Sequence, residues 1–125
     1  MEFLGDSVLG LVITEELYAR FPDLDESRLS PLRSGIVNMR ALAAIGRELD
    51  LGSALKIGKG EAVTGGRDKN SILADAFEAL VGAIYLDQGY AKTKEIVLNL
   101  MGRAIDEAMA RGAGIDGKTA LQELV

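Results

Sequence analysis

The chain has 125 residues, 48% of them hydrophobic and 26% charged, a composition that excludes disorder and fits one domain with a sizeable core. It contains neither cysteine nor histidine, which excludes disulfides, zinc sites built on thiolate or imidazole, and histidine general-base catalysis, and moves any acid, base or metal role onto carboxylates. The net charge of −5 counts against a polyanionic partner; with no apolar run long enough to span a bilayer and no signal peptide, the expectation is a soluble cytoplasmic protein with no membrane partner.

Taken in chain order, Glu2 to Arg20 carries apolar residues at 3, 4, 8, 9, 11, 12, 13 and 17, which is helical spacing with one very apolar face. Phe21-Pro22-Asp23 ends that helix, because Pro22 disfavours helical angles at the residue before it. A second helix is expected from an N-cap near Ser27 to about Val37, with Pro31 in its first turn, where proline is best tolerated. Asn38 is placed to cap a third helix through Leu51, with Gly52 as the terminating residue. GKGEAVTGGRDKN, residues 58–70, is glycine-rich and polar and reads as a loop. ILADAFEALVGAIYL follows as a strongly apolar helix, capped by Asn70 or Ser71 and stopped near Gly89. Ala91 to Arg111 is amphipathic. GAGIDG, residues 112–117, has linker composition, and residues 118–125 open another helix. No strand and no internal repeat stands out, so the expected architecture is an all-α bundle. Glu2 lies inside an apolar pattern with no cap before it, and Val125 ends a helix of barely two turns. Both ends are therefore expected to be cuts in a longer chain.

Two carboxylate pairs interrupt the apolar helices. Asp75 and Glu78 are spaced i, i+3, and Glu2 and Asp6 i, i+4, so each pair shares one helix face. Ionised carboxylates in apolar surroundings cost several kcal/mol unless paired, neutralised or bound to a metal. If the two helices pack together, all four acids converge, repel one another and hold protons or a cation. Oxygen-only ligands select a hard ion, Mg²⁺ or Mn²⁺ in its place. Such a site activates water and stabilises charge on a phosphoryl oxygen. The competing reading of each pair is a cap, a solvated edge or half of a salt bridge. The 58–70 loop lacks the G-x-x-x-x-G-K-[ST] order of a phosphate loop and reads as a connector, although Lys56, Lys59, Arg67 and Lys69 are available to phosphates. Glu61 within it reads as a solvated charge, and Phe3 as simple core. Three Phe and three Tyr give no stacking platform for single strands.

EFLGDSVL at 2–9 closely resembles the signature of the ribonuclease III family, and DAFEALVGAIYLDQG at 75–89 resembles its second acidic motif. The intervening FPDLDESRLSPLRSGIVN and GKGEAVTGG, and the spacing, are similar to the bacterial enzymes. KTALQELV at 118–125 is similar to the first helix of the double-stranded-RNA-binding domain that follows the nuclease domain. The resemblance implies a helical, dimeric ribonuclease III endonuclease domain over 1–111, a linker over 112–117 and the start of an RNA-binding domain over 118–125. It implies that Glu2, Asp6, Asp75 and Glu78 form a metal-binding cluster, with Asp6 and Glu78 the catalytic pair. It implies Mg²⁺-dependent cleavage of double-stranded RNA by activated water, leaving 5′-phosphate and 3′-hydroxyl ends with short 3′ overhangs, in ribosomal and messenger RNA processing. Glu26 and Glu61 match two further acidic positions near the cleavage sites, which sets a second reading of Glu61 beside the first. Phe3 matches a residue that enters a socket on the partner of a homodimer, and Thr119 and Gln122 match RNA-contacting positions. In that family the appended domain supplies basic RNA contacts, which eases the conflict with the negative charge. Two other classes are weighed against this one: a non-catalytic RNA-binding or structural relative of the same fold, and an all-helical Mg²⁺-dependent nucleotide pyrophosphatase.

Overall fold

A computed structural model of the chain describes residues 1–54 and 69–115. Among these every regular element is a helix: α1 (Glu2–Arg20), α2 (Glu26–Ile36), α3 (Met39–Glu48), the single turn α4 (Leu51–Ala54), α5 (Asn70–Leu100) and α6 (Gly102–Ile115). The long α5 lies at the centre, with α1 and α3 packed along it; α2 lies on α1 and meets α6.

Apolar periodicity explains this order. On α1, Leu9, Val12, Ile13 and Leu17 are buried, and on α5 so are Leu73, Phe77 and Val81. These stripes face each other because each helix can leave water only against another apolar surface. Leu29 and Ile36 from α2 and Leu42 and Ile45 from α3 extend the same core; Val97, Met101, Ile105 and Ala108 close it at the far end. Phe77 is fully buried, and an aromatic ring of that size contributes a large share of apolar burial to the core.

The helix ends differ from the sequence expectation in several places. α1 ends as expected at Arg20, with the Phe21 amide donating to the Leu17 carbonyl at 2.8 Å. α2 starts at Glu26 rather than after Ser27; its N-cap is Asp25, whose carboxylate accepts a 2.7 Å bond from the Ser27 hydroxyl. Pro31 therefore sits in the second turn of α2, not the first. Asn38 caps α3 as expected, its side chain accepting from the Ala41 amide at 2.9 Å. That helix stops at Glu48, earlier than Leu51, because Asp50 turns to φ 55° and Leu51–Ala54 forms a separate turn; Gly52 is not the terminator. α5 begins at Asn70 with Lys69 as its cap, and Gly89, at φ 80° and ψ 176°, breaks it where the sequence places a stop. The helix expected over 91–111 is divided at Met101, and its second part continues to Ile115. Gly112–Ile115, read as linker, are thus helical. The expected loop over 58–68 and the segment 118–125 lie outside the described residues.

Candidate functional site

The two acidic pairs meet where α1 crosses α5. The approach is unusually close because Gly5, buried on α1, presents no side chain to its neighbour. A Cβ placed on Gly5 would stand 1.6 Å from the backbone oxygen of Glu78. No side chain fits in that gap, so the two backbones touch. Gly5 lies between Glu2 and Asp6 in sequence, and the α5 backbone it touches is that of Glu78 itself. The crossing therefore sets the carboxylates of both pairs on one side of the contact, as the packing of the two apolar stripes requires.

Glu78 records the convergence electrostatically. Its carboxyl is pushed up from the ordinary 4.5 to about 7. Partial burial is the largest cause, followed by a side-chain hydrogen bond with Asp6 and then by repulsion from Asp6, Asp75 and Glu2. The other three acids singled out in the sequence thus all act on Glu78. Glu78 is half-buried, whereas Glu2, Asp6 and Asp75 are exposed, so the cluster opens to solvent on one side. Among the described residues, no three acidic side chains already surround a common point as ligands. The donor set nevertheless fits a hard divalent cation. It is all oxygen, it carries excess negative charge, and burial together with its acidic neighbours pushes its innermost member up to about 7.

The remaining candidates are distributed differently. Glu26 does not join Glu2, Asp6 and Asp75 as a perturber of Glu78. It lines a groove of about 290 Å³ between α1 and α2, with Thr14, Leu17, Tyr18, Leu29, Ser30 and Arg33. Thr14 and Tyr18 lie about 12 and 18 Å along the α1 axis from Asp6. Phe3 is 86% exposed, which overturns its reading as simple core. Glu61, Thr119 and Gln122 fall outside the described residues. Sequence reasoning missed Gly5. The available signal was a glycine inside an apolar helical pattern, which costs about 1 kcal/mol against alanine unless close packing needs it. It also missed a tie at the other end of α1, where the Glu15 carboxylate accepts from the Tyr90 hydroxyl and from Lys94 Nζ at 3.4 Å. These contacts, the Tyr90 bond foremost, hold the Glu15 carboxyl below its usual range.

Comparison with known proteins gives a consistent result. A family model described as ribonuclease-III-like matches residues 1–104. Ribonuclease 3 of Thermobifida fusca is 56% identical over 99% of this chain and 52% of its own length. Ribonuclease 3 of Streptomyces coelicolor is 56% identical over 99% of this chain and 45% of its own length. The chain thus spans about half the length of these relatives. Among solved structures, the nuclease domain of ribonuclease III from Campylobacter jejuni superposes with a TM-score of 0.80 at 43% identity, covering 82% of this chain and 72% of that one. The work on that structure concerns flexibility in a region involved in its dimer formation.

Proposed function

The chain belongs to the ribonuclease-III-like family, and from that premise we propose that it is the nuclease domain of a Mg²⁺-dependent endoribonuclease that cleaves double-stranded RNA. The products are 5′-phosphate and 3′-hydroxyl ends with short 3′ overhangs, and the setting is ribosomal and messenger RNA processing in the cytoplasm. One observation carries the reading: Gly5, beside Asp6 on α1, lies against the backbone of Glu78, 73 positions further along the chain, and Asp6, Asp75 and Glu2 all push the Glu78 carboxyl up.

Each acid has a role that follows from its position. Glu78, the innermost, would hold the cation directly, with Asp6 beside it as a second ligand or as the holder of a coordinated water. Glu2 and Asp75, more exposed, would complete the metal-binding cluster and its negative field. A bound Mg²⁺ supplies Lewis-acid stabilisation of phosphoryl charge and lowers the pKa of its water. Glu26 and Glu61 serve as further acidic positions near the substrate. Thr119 and Gln122 contact RNA, by shape through phosphates and 2′-hydroxyls. Two copies of the chain pair as a homodimer, each Phe3 entering the other copy.

The test is cleavage of a long RNA duplex. Wild-type protein should cut it with Mg²⁺ or Mn²⁺ and stop with excess chelator. Glu78→Gln should fold normally and lose at least about 100-fold in rate, the loss expected when a ligand essential to such a centre is removed. Duplex cleavage at the wild-type rate by that variant would overturn the catalytic assignment. Hydrolysis of free nucleoside triphosphates with the duplex untouched would point to a pyrophosphatase. Duplex binding without cleavage would point to a non-catalytic relative.

A further inference from the structure

A second glycine, Gly82 on α5, stands one turn beyond Glu78 and is buried. A Cβ built on it would lie 2.6 Å from the Met1 carbonyl oxygen, 3.1 Å from Met1 Sδ and 3.2 Å from the Gly5 backbone nitrogen. The first of these atoms and the last are the two ends of one hydrogen bond: the Gly5 amide donates to the Met1 carbonyl at 2.9 Å. That bond closes the first turn of α1, and Glu2 lies within the turn. The N-cap of α1 makes no side-chain hydrogen bond; Leu4 of this turn packs on the core, and the turn's backbone rests against α5 at Gly82. The turn is held in place by the notch that Gly82 leaves open.

We propose that Gly82 is a positioning residue for the acidic cluster: by leaving room for the Met1–Gly5 hydrogen bond it seats the first turn of α1 against α5 and fixes Glu2 and Asp6 opposite Asp75 and Glu78. The proposal deepens the function given above and rests on it. Gly5 and Gly82 act on the same crossing from opposite helices. Gly5 sets how near the two backbones come at Glu78. Gly82 sets the angle of the turn that carries Glu2. A methyl group at 82 meets two backbone atoms of that turn, so it cannot be relieved by rotating a flexible side chain; the turn must tilt or open. Tilting moves Glu2 and Asp6 away from their partners and leaves the distant core of Val97, Met101 and Ile105 untouched.

Gly82→Ala is compared with Val97→Ala, which removes buried volume at the far end of α5 and serves as a control for lost stability alone. Three quantities are read on folded protein: Gly5 amide hydrogen exchange, affinity for Mg²⁺ alone by calorimetry, and kcat and KM on duplex RNA across a Mg²⁺ series. Gly82→Ala should speed Gly5 exchange and weaken Mg²⁺ binding by about tenfold or more, the size seen when groups that orient metal ligands are lost. Its kcat should fall at low Mg²⁺ and recover in part at high Mg²⁺, with KM for RNA unchanged. Val97→Ala should do none of these. Wild-type Mg²⁺ affinity in a folded Gly82→Ala protein would overturn the proposal, as would unchanged Gly5 exchange. Should the variant not fold, wild-type protein decides the matter: Mg²⁺ must slow Gly5 exchange if this turn seats the ligands, and no slowing overturns the role of Gly82. A wild-type protein that binds no Mg²⁺ at all would instead overturn the functional reading beneath it.

Discussion

Glu78 carries the clearest consequence of the site at the scale of one residue. Its folded-state carboxyl titrates at about 7, raised from 4.5, so the folded chain prefers it protonated. Below about pH 4.5 the group is neutral whether the chain is folded or not, and it costs nothing. Between about 4.5 and 7 the unfolded state ionises first and the fold loses stability; above 7 the loss is complete. With chelator present, the denaturant midpoint should therefore fall as pH rises from 5 to 8. Glu78→Gln should remove that fall and be more stable than wild type at pH 8. Added Mg²⁺ should restore the wild-type midpoint at pH 8, by binding the folded state alone. A flat wild-type profile between pH 5 and 8 would show that the carboxylates do not crowd Glu78. The sequence gives the reason for suspicion, two acids in an apolar run, but not the size of the effect, which comes from partners on another helix.

Elements meet at positions where the backbone has to do something a side chain would prevent. At Gly89 the chain adopts φ 80° and ψ 176°, a conformation open in practice only to glycine. No atom lies within 4 Å of where its Cβ would be, so a substitution there is strained by the backbone alone. Gly89→Ala should destabilise by about 1–3 kcal/mol in chemical denaturation, with Mg²⁺ binding unaltered, since the break lies three turns from Glu78. An unchanged midpoint would mean that the break straightens at little cost. Directly after the break, Thr93 is completely buried and donates its hydroxyl to the Gly89 carbonyl at 2.6 Å, which gives the buried hydroxyl its partner. The stop at Gly89 was legible in the sequence. So was the helix that follows it from Ala91; the division at Met101 was not, because apolar spacing carries on through that point. The early end of α3 was hidden for a similar reason: Asp50 at φ 55° is a residue type that tolerates this conformation without announcing it.

For the whole molecule, the exposed apolar residues on α1 are the feature a single chain leaves open. Phe3 at 86% exposure and Leu11 at 51% would be covered in the proposed homodimer. Phe3→Ala should shift wild-type dimer toward monomer in light scattering at micromolar concentration, with helical content unchanged. A wild-type chain that stays monomeric at high concentration would defeat that arrangement. The sequence by itself determined that the protein is all-helical, which stripes are apolar, and that each of two helices bears a pair of carboxylates on one face. These are local properties, fixed by 3.6 residues per turn and by residue type. Its motifs also carried the family. Tertiary structure alone decided that the pairs meet, that Glu26 lines a groove elsewhere, and that Phe3 is not core. The physical reason is that the distance between two helices depends on what stands at their crossing. Here that is the bare backbone of Gly5 against the carbonyl of Glu78, and no periodicity within either helix contains that contact.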